Sequence, residues 1–182
     1  MSRITTREIT YAALFTALIA AGAFVAIPVG PVPFTLQVLF VLLAGMVLGP
    51  KLGAASVVAY LALGLLAPVY AGGTSGIGTL LGPTGGFLLG FIPAVVVTGL
   101  ISRTGPPTLL RLIGAGLLGL APIYVLGTLW LAFQLHLSAA TAIATGVAPF
   151  VWLDTLKAVA AGLAARSLIS LPLGLPALQR DR

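Results

Sequence analysis

The chain contains no cysteine, one histidine and three acidic residues among its 182 positions. The missing thiols exclude disulfides, thiolate metal centres and cysteine nucleophiles in one step. One imidazole and three carboxylates leave too few groups for a zinc centre or a Ser-His-Asp triad. Charge of either sign is scarce as well. Nine Lys and Arg together with the three acids make up 7% of the chain, against about 25% in a soluble domain. Twelve charged side chains cannot cover a water-facing surface of this size, which excludes an ordinary cytoplasmic enzyme and a disordered tail. The net charge of +6 does not indicate a nucleic-acid partner, because that needs a clustered basic face. Here the basic residues are scattered between apolar runs.

What is present in abundance is hydrophobic sequence: 59% of the residues, with a mean hydropathy of +1.18. This is the composition of an integral membrane protein. A membrane helix takes about 20 apolar residues, and Pro, Gly and charge divide the chain into six candidate spans over 9–27, 34–49, 52–70, 86–102, 108–134 and 146–170. Two arginines before the first span have the look of a signal peptide, but the run is long enough to cross and no cleavage-like site follows. It reads as a retained first helix. Charge tests the count. With the N-terminus inside, Arg3, Arg7, Lys51, Arg103, Arg111, Arg166, Arg180 and Arg182 all fall at inner loops or inner helix ends, and the outer loops hold no basic residue. Six spans with both termini cytoplasmic satisfy the positive-inside rule, and Tyr70, Trp130 and Trp152 lie near outer helix ends, where aromatic belts form. No repeat and no linker is evident, so residues 1–182 read as one all-α transmembrane bundle. It is too small for the paired inverted repeats of many secondary carriers.

Asp154 and Lys157 are the two charges set well inside a span. Three residues apart on a helix, they share a face. Each costs about 2.5–3.5 kcal/mol at mid-membrane on insertion scales, so pairing, water or a ligand must offset them. A structural ion pair facing the bundle interior is one reading; a binding site is the other. With the last helix starting near residue 146, Asp154 is expected roughly eight residues, or about 12 Å, below its outer end. Asp154 can accept from N–H donors and Lys157 can donate to a carbonyl or carboxylate. No neighbouring His, Ser or second acid supplies acid–base chemistry, so the pair points to binding.

The stretch from Tyr70 to Phe87 carries glycines at 72, 73, 76, 78, 82, 85 and 86. It lacks the Gly-Lys-Ser/Thr ending of a phosphate loop. It reads either as a flexible outer connection or as a lid whose Thr74, Ser75, Thr79 and Thr84 line a pocket. Irregular backbone at membrane depth requires cover by protein or a cavity. The first outer loop holds Pro28, Pro31 and Pro33 followed by Thr35 and Gln37. The prolines stiffen an extended segment that can cap the same cavity, and Gln37 is either a cavity residue or a helix-packing one. In the first span Ala13, Ala17 and Ala21 repeat at four-residue spacing. Such rows let helices approach closely, within the bundle or against a partner. His136, at an outer helix end, reads as an interfacial residue.

Several of these stretches together resemble the BioY family, the biotin-binding S components of energy-coupling-factor (ECF) transporters. They are Val32-Pro-Phe-Thr-Leu-Gln37, Leu42-Leu-Ala-Gly45, Leu48-Gly-Pro-Lys-Leu-Gly53, Tyr60-Leu-Ala-Leu-Gly64, Ala71-Gly-Gly73, Gly82-Pro-Thr-Gly-Gly-Phe-Leu-Leu-Gly-Phe91 and the Asp154-x-x-Lys157 pair. The likeness covers nearly the whole chain, in order. Phe87 departs from the tyrosine more usual at its position. The resemblance implies a six-helix bundle holding biotin near the outer surface, with Asp154 and Lys157 on the ureido ring or carboxylate and the two outer loops closing over it. It also implies no cofactor and no enzymatic activity. The small face of the first helix would dock on a transmembrane partner driven by two ATPases, in a bacterial cell membrane. A self-sufficient carrier for biotin or another small vitamin is the alternative within transport.

Overall fold

The computed structural model describes residues 5–173; Arg3, Arg180 and Arg182 of the charge count lie outside them. Helix α1 (Thr6–Phe24) starts at a reciprocal cap. The Thr5 hydroxyl accepts from Glu8 N at 3.3 Å while the Glu8 carboxylate accepts from Thr5 N at 2.8 Å, which satisfies two N–H groups the first turn leaves open. The helix stops three residues short of the expected span. Residues Ala26–Val29 and Val32–Thr35 instead form an antiparallel hairpin, β1 and β2, pairing Ala26 with Thr35 and Val29 with Val32. Pro28 and Pro33 face each other across it; with Pro31 they make three prolines within six residues, each lacking the N–H that a helix would use. Gly30, at φ +64°, makes the turn.

Helix α2 (Gln37–Leu66) holds thirty residues and doubles back on itself. The Gln37 amide donates to the Tyr60 hydroxyl at 2.5 Å, whereas 23 residues of straight helix would separate them by about 34 Å. The reversal is at Gly49, with φ +80° and ψ −177°, and Pro50 opens the second segment, a first-turn position proline suits. Arg103 donates to the Leu48 carbonyl at 2.8 Å, bringing positive charge to the C-terminal end of the first segment. Gly45, Gly53 and Gly99 bring the two segments and α4 (Gly85–Ser102) into close contact around that point.

A 3-10 turn (Ala71–Gly73) and the short helix α3 (Ile77–Leu81) fold the glycine-rich stretch, followed by α4 and then α5 (Leu109–Leu135). The expected outer loop at 135–145 is largely helical. His136 closes α5 in the left-handed conformation, and Ser138 caps α6 (Ala139–Gly146). The chain then breaks over 147–150, where Pro149 disfavours helix at the preceding residue, before α7 (Val151–Ser170). The bend from α6 to α7 is 48°. Helices α1, α2, α4 and α5 are each long and apolar enough to cross a membrane, and α6 with α7 makes a fifth candidate if counted as one span. The fold is therefore a multi-pass helical membrane protein with one small hairpin.

The two ends of the bundle differ in charge. At one end Arg7 and Tyr11 of α1 bond the Leu173 carbonyl, Arg166 of α7 bonds Pro107 O at 3.1 Å, Arg111 bonds Pro106 O and Arg103 bonds Leu48 O. Lys51 follows the same reversal. The hairpin, the glycine-rich stretch and the start of α7 gather at the opposite end.

Candidate functional site

At that opposite end lies a cavity of about 270 Å³. Hairpin residues Val32 to Thr35 form one side; Tyr70, Ala71, Thr74, Thr79 and Thr84 of the glycine-rich stretch form another. Phe87, Leu88 and Phe91 of α4, Tyr124 of α5, Phe150, and Asp154 and Lys157 of α7 complete it. Aromatic and aliphatic walls with few polar groups are the usual make-up of a small-molecule site.

The Asp154–Lys157 pair is buried, each side chain 7% exposed, with Nζ 2.6 Å from Oδ1. Because the chain breaks before Val151, Asp154 is in the first turn of α7 and not eight residues below a helix end. A carboxylate there is favoured by the helix dipole. Lys157 also donates to the Thr35 carbonyl at 2.6 Å, and its Nζ stands 3.8 Å from the centroid of the Phe34 ring. The ammonium thus joins α7 to the hairpin and holds a cation–π contact with the half-buried Phe34 ring. On the other side of the carboxylate, the Tyr124 hydroxyl donates to Oδ2 at 2.6 Å. Among the described residues each Asp154 oxygen has one donor, and each retains a further lone pair.

A second polar chain underlies the hairpin. Thr35 donates to Gln37 Oε1 at 3.1 Å, and Gln37 donates to Tyr60. The rings of Tyr60 and Tyr70, both fully buried, meet edge to face at 5.6 Å, and the Tyr70 hydroxyl donates to Leu61 O at 2.6 Å. Gly64 lets this happen, since a Cβ there would overlap the Tyr70 ring. The glycine-rich stretch is itself fastened: Gly76 N bonds Gly64 O at 2.8 Å, Trp130 Nε1 bonds Gly82 O at 2.8 Å, and Gln134 bonds Leu81 O. Gly85 and Gly86 pack so closely on Leu80 and Trp130 that a Cβ would overlap each neighbour.

Of the residues singled out in the sequence, Thr35, Gln37, Thr74, Thr79, Thr84, Asp154 and Lys157 come together around the cavity. Ser75 does not. It is exposed, and its carbonyl accepts the Thr79 hydroxyl. Ala13, Ala17 and Ala21 are all exposed, while α1 packs inward through Phe15, Ile19, Ala20, Gly22 and Ala23. The alanine row therefore does no packing inside this bundle. Sequence reasoning missed Tyr124, Phe34 as the ring over Lys157, and the Thr35 carbonyl. The signal for Tyr124 was a phenol in mid-span, which needs a hydrogen-bond partner when buried.

A polytopic bundle with a small, largely apolar cavity around a buried ion pair defines a small-solute-binding membrane protein. The comparisons narrow it. A model of the BioY family matches residues 1–172, and the chain belongs to that family. It is 45% identical over 163 residues to a biotin transporter BioY of Thermotoga maritima, covering 89% of this chain and 95% of that protein. It is 47% identical over 181 residues to the biotin transporter BioY of Rhodobacter capsulatus, covering 89% and 93%. The 2.1 Å crystal structure of the S-component for biotin from an ECF-type ABC transporter superposes with a TM-score of 0.86 at 31% identity, covering 93% of this chain and 96% of that one.

Proposed function

We propose that this chain is the biotin-capturing subunit of an ECF-type transporter, binding biotin in the cavity at the hairpin end and delivering it for uptake. The observation that carries the reading is the buried Asp154–Lys157 pair in an otherwise apolar cavity, in a chain of the BioY family. Asp154 accepts from a ring N–H of the ureido group, and Lys157 donates to its carbonyl or to the ligand carboxylate. Phe34, Phe87, Phe91 and Phe150 cover the sulfur ring and the apolar chain. Thr74 and Thr84, with Gln37 and Thr35 behind the hairpin, provide the remaining polar lining. The role is transport without a cofactor, and the chain works as one substrate-binding unit.

In this reading the bundle crosses the membrane six times, the two segments of α2 counting separately, and both termini are cytoplasmic. The arginine-bearing end then obeys the positive-inside rule, and the cavity faces outward. Ala13, Ala17 and Ala21 form the flat face on which a transmembrane partner, driven by two ATPase subunits, docks. The chain has no Walker motif of its own. Calorimetric titration of biotin into the detergent-purified protein tests the core of this. One-to-one binding is expected, lost in Asp154→Ala. A folded sample that takes up no biotin would refute the ligand assignment.

A further inference from the structure

The two tethers on Asp154 are not equivalent. Lys157 is three residues away on the same helix, and its ammonium is shared among Oδ1, the Thr35 carbonyl and the Phe34 ring. With Lys157 alone, the carboxylate keeps freedom to turn about its terminal torsion, which is broad and roughly two-fold. Tyr124 comes from α5, thirty residues earlier in the chain, and holds the other oxygen at 2.6 Å. Two donors from different helices, one on each oxygen, fix the plane of the carboxylate. Fixing that plane aims the remaining lone pairs.

We propose that Tyr124 is a positioning residue for ligand capture, acting through Asp154: it orients the carboxylate so that a free lone pair meets a ring N–H donor of a cyclic urea. The inference rests on the biotin reading above. It adds a residue and a reason. A ring N–H points in one fixed direction and requires an acceptor lone pair set to meet it, and pre-orientation removes the ordering cost from the binding step. Tyrosine also suits the place chemically. It supplies a donor without adding a charge, so the cavity keeps one cation and one anion among its described lining residues, whereas a second lysine would leave an uncompensated charge at membrane depth.

The test is a double-mutant cycle on biotin affinity, using Tyr124→Phe, Asp154→Asn and the double variant, each checked for folding by its thermal transition without ligand. Loss of a hydrogen bond to a charged group predicts that Tyr124→Phe weakens binding about 10-fold or more in the wild-type background. With Asn at position 154 the same change is expected to matter less than about 3-fold, because the orientation it served is already gone. A packing role would not produce that coupling. Unchanged affinity in Tyr124→Phe, or an equal loss in both backgrounds, overturns the proposal while leaving biotin as the ligand. Absence of biotin binding by the wild-type protein removes the ligand reading and this inference together. Tyr124→Leu is a second hydroxyl-free side chain should the phenylalanine variant not yield folded protein.

Discussion

A lysine and an aspartate at membrane depth are tolerable only as a unit. Asp154 has Lys157 and Tyr124; Lys157 has Asp154, the Thr35 carbonyl and the Phe34 face. Removing one member strands the other, and breaking a buried pair this way costs about 3–5 kcal/mol, while replacing both members by apolar groups is often neutral. Asp154→Ala should therefore lower the thermal transition in detergent far more than Asp154→Leu combined with Lys157→Met. A double variant no more stable than the single one would mean that the pair is stabilising in its own right. The pair itself was plain from the sequence, since few other charges interrupt an apolar run. Tyr124 was not, because a phenol thirty residues away carries no sign of the oxygen it will meet.

Among the elements, the reversal in α2 depends on one backbone conformation. Gly49 at φ +80° and ψ −177° has the Arg103 guanidinium where a Cβ would lie, so Gly49→Ala combines the strain of a backbone region open almost only to glycine, about 1–3 kcal/mol, with the displacement of that side chain. Gly30, at φ +64°, faces open space. Gly30→Asn should leave the thermal transition nearly unchanged, because asparagine tolerates this region, and the contrast between the two is read by thermal unfolding of purified variants. The hairpin deserves its own test. Phe34→Ala removes the ring over Lys157 and one wall of the cavity; a loss of biotin affinity is expected, with a smaller loss of stability than Asp154→Ala causes, since Lys157 keeps Asp154 and the Thr35 carbonyl. The prolines that define this hairpin were visible in the sequence as a stiff extended segment. Its pairing was hidden, because strand partners are chosen by hydrogen bonds that composition does not encode.

At the scale of the molecule, the absence of cysteine makes the orientation directly measurable. Single cysteines at Gly30 and Ser138 should react with a membrane-impermeant maleimide on intact cells, and cysteines at Lys51 and Thr104 only after permeabilisation. The reverse pattern would put the cavity on the cytoplasmic side. The proposed partner docking is separable from capture. Ala17→Trp adds bulk to an exposed face of α1 away from the cavity lining, so biotin binding by the isolated chain should persist while co-purification with the proposed transmembrane partner falls.

The sequence by itself determined that this protein lives in a membrane, roughly where its long apolar helices run, and which two ionisable groups lie among them. Those features follow from local quantities: hydropathy over a span, the chemistry of Pro and Gly, and the cost of a charge in hydrocarbon. The tertiary structure alone decided that the last span is broken, so that Asp154 opens α7. It also decided that Ser75 turns outward while the neighbouring threonines line the cavity, and that the alanine row of α1 faces away from the bundle. Most of all it joined Lys157 to a carbonyl 122 residues distant. Such contacts arise from how whole helices stack, and no window of neighbouring residues contains the geometry that brings them together.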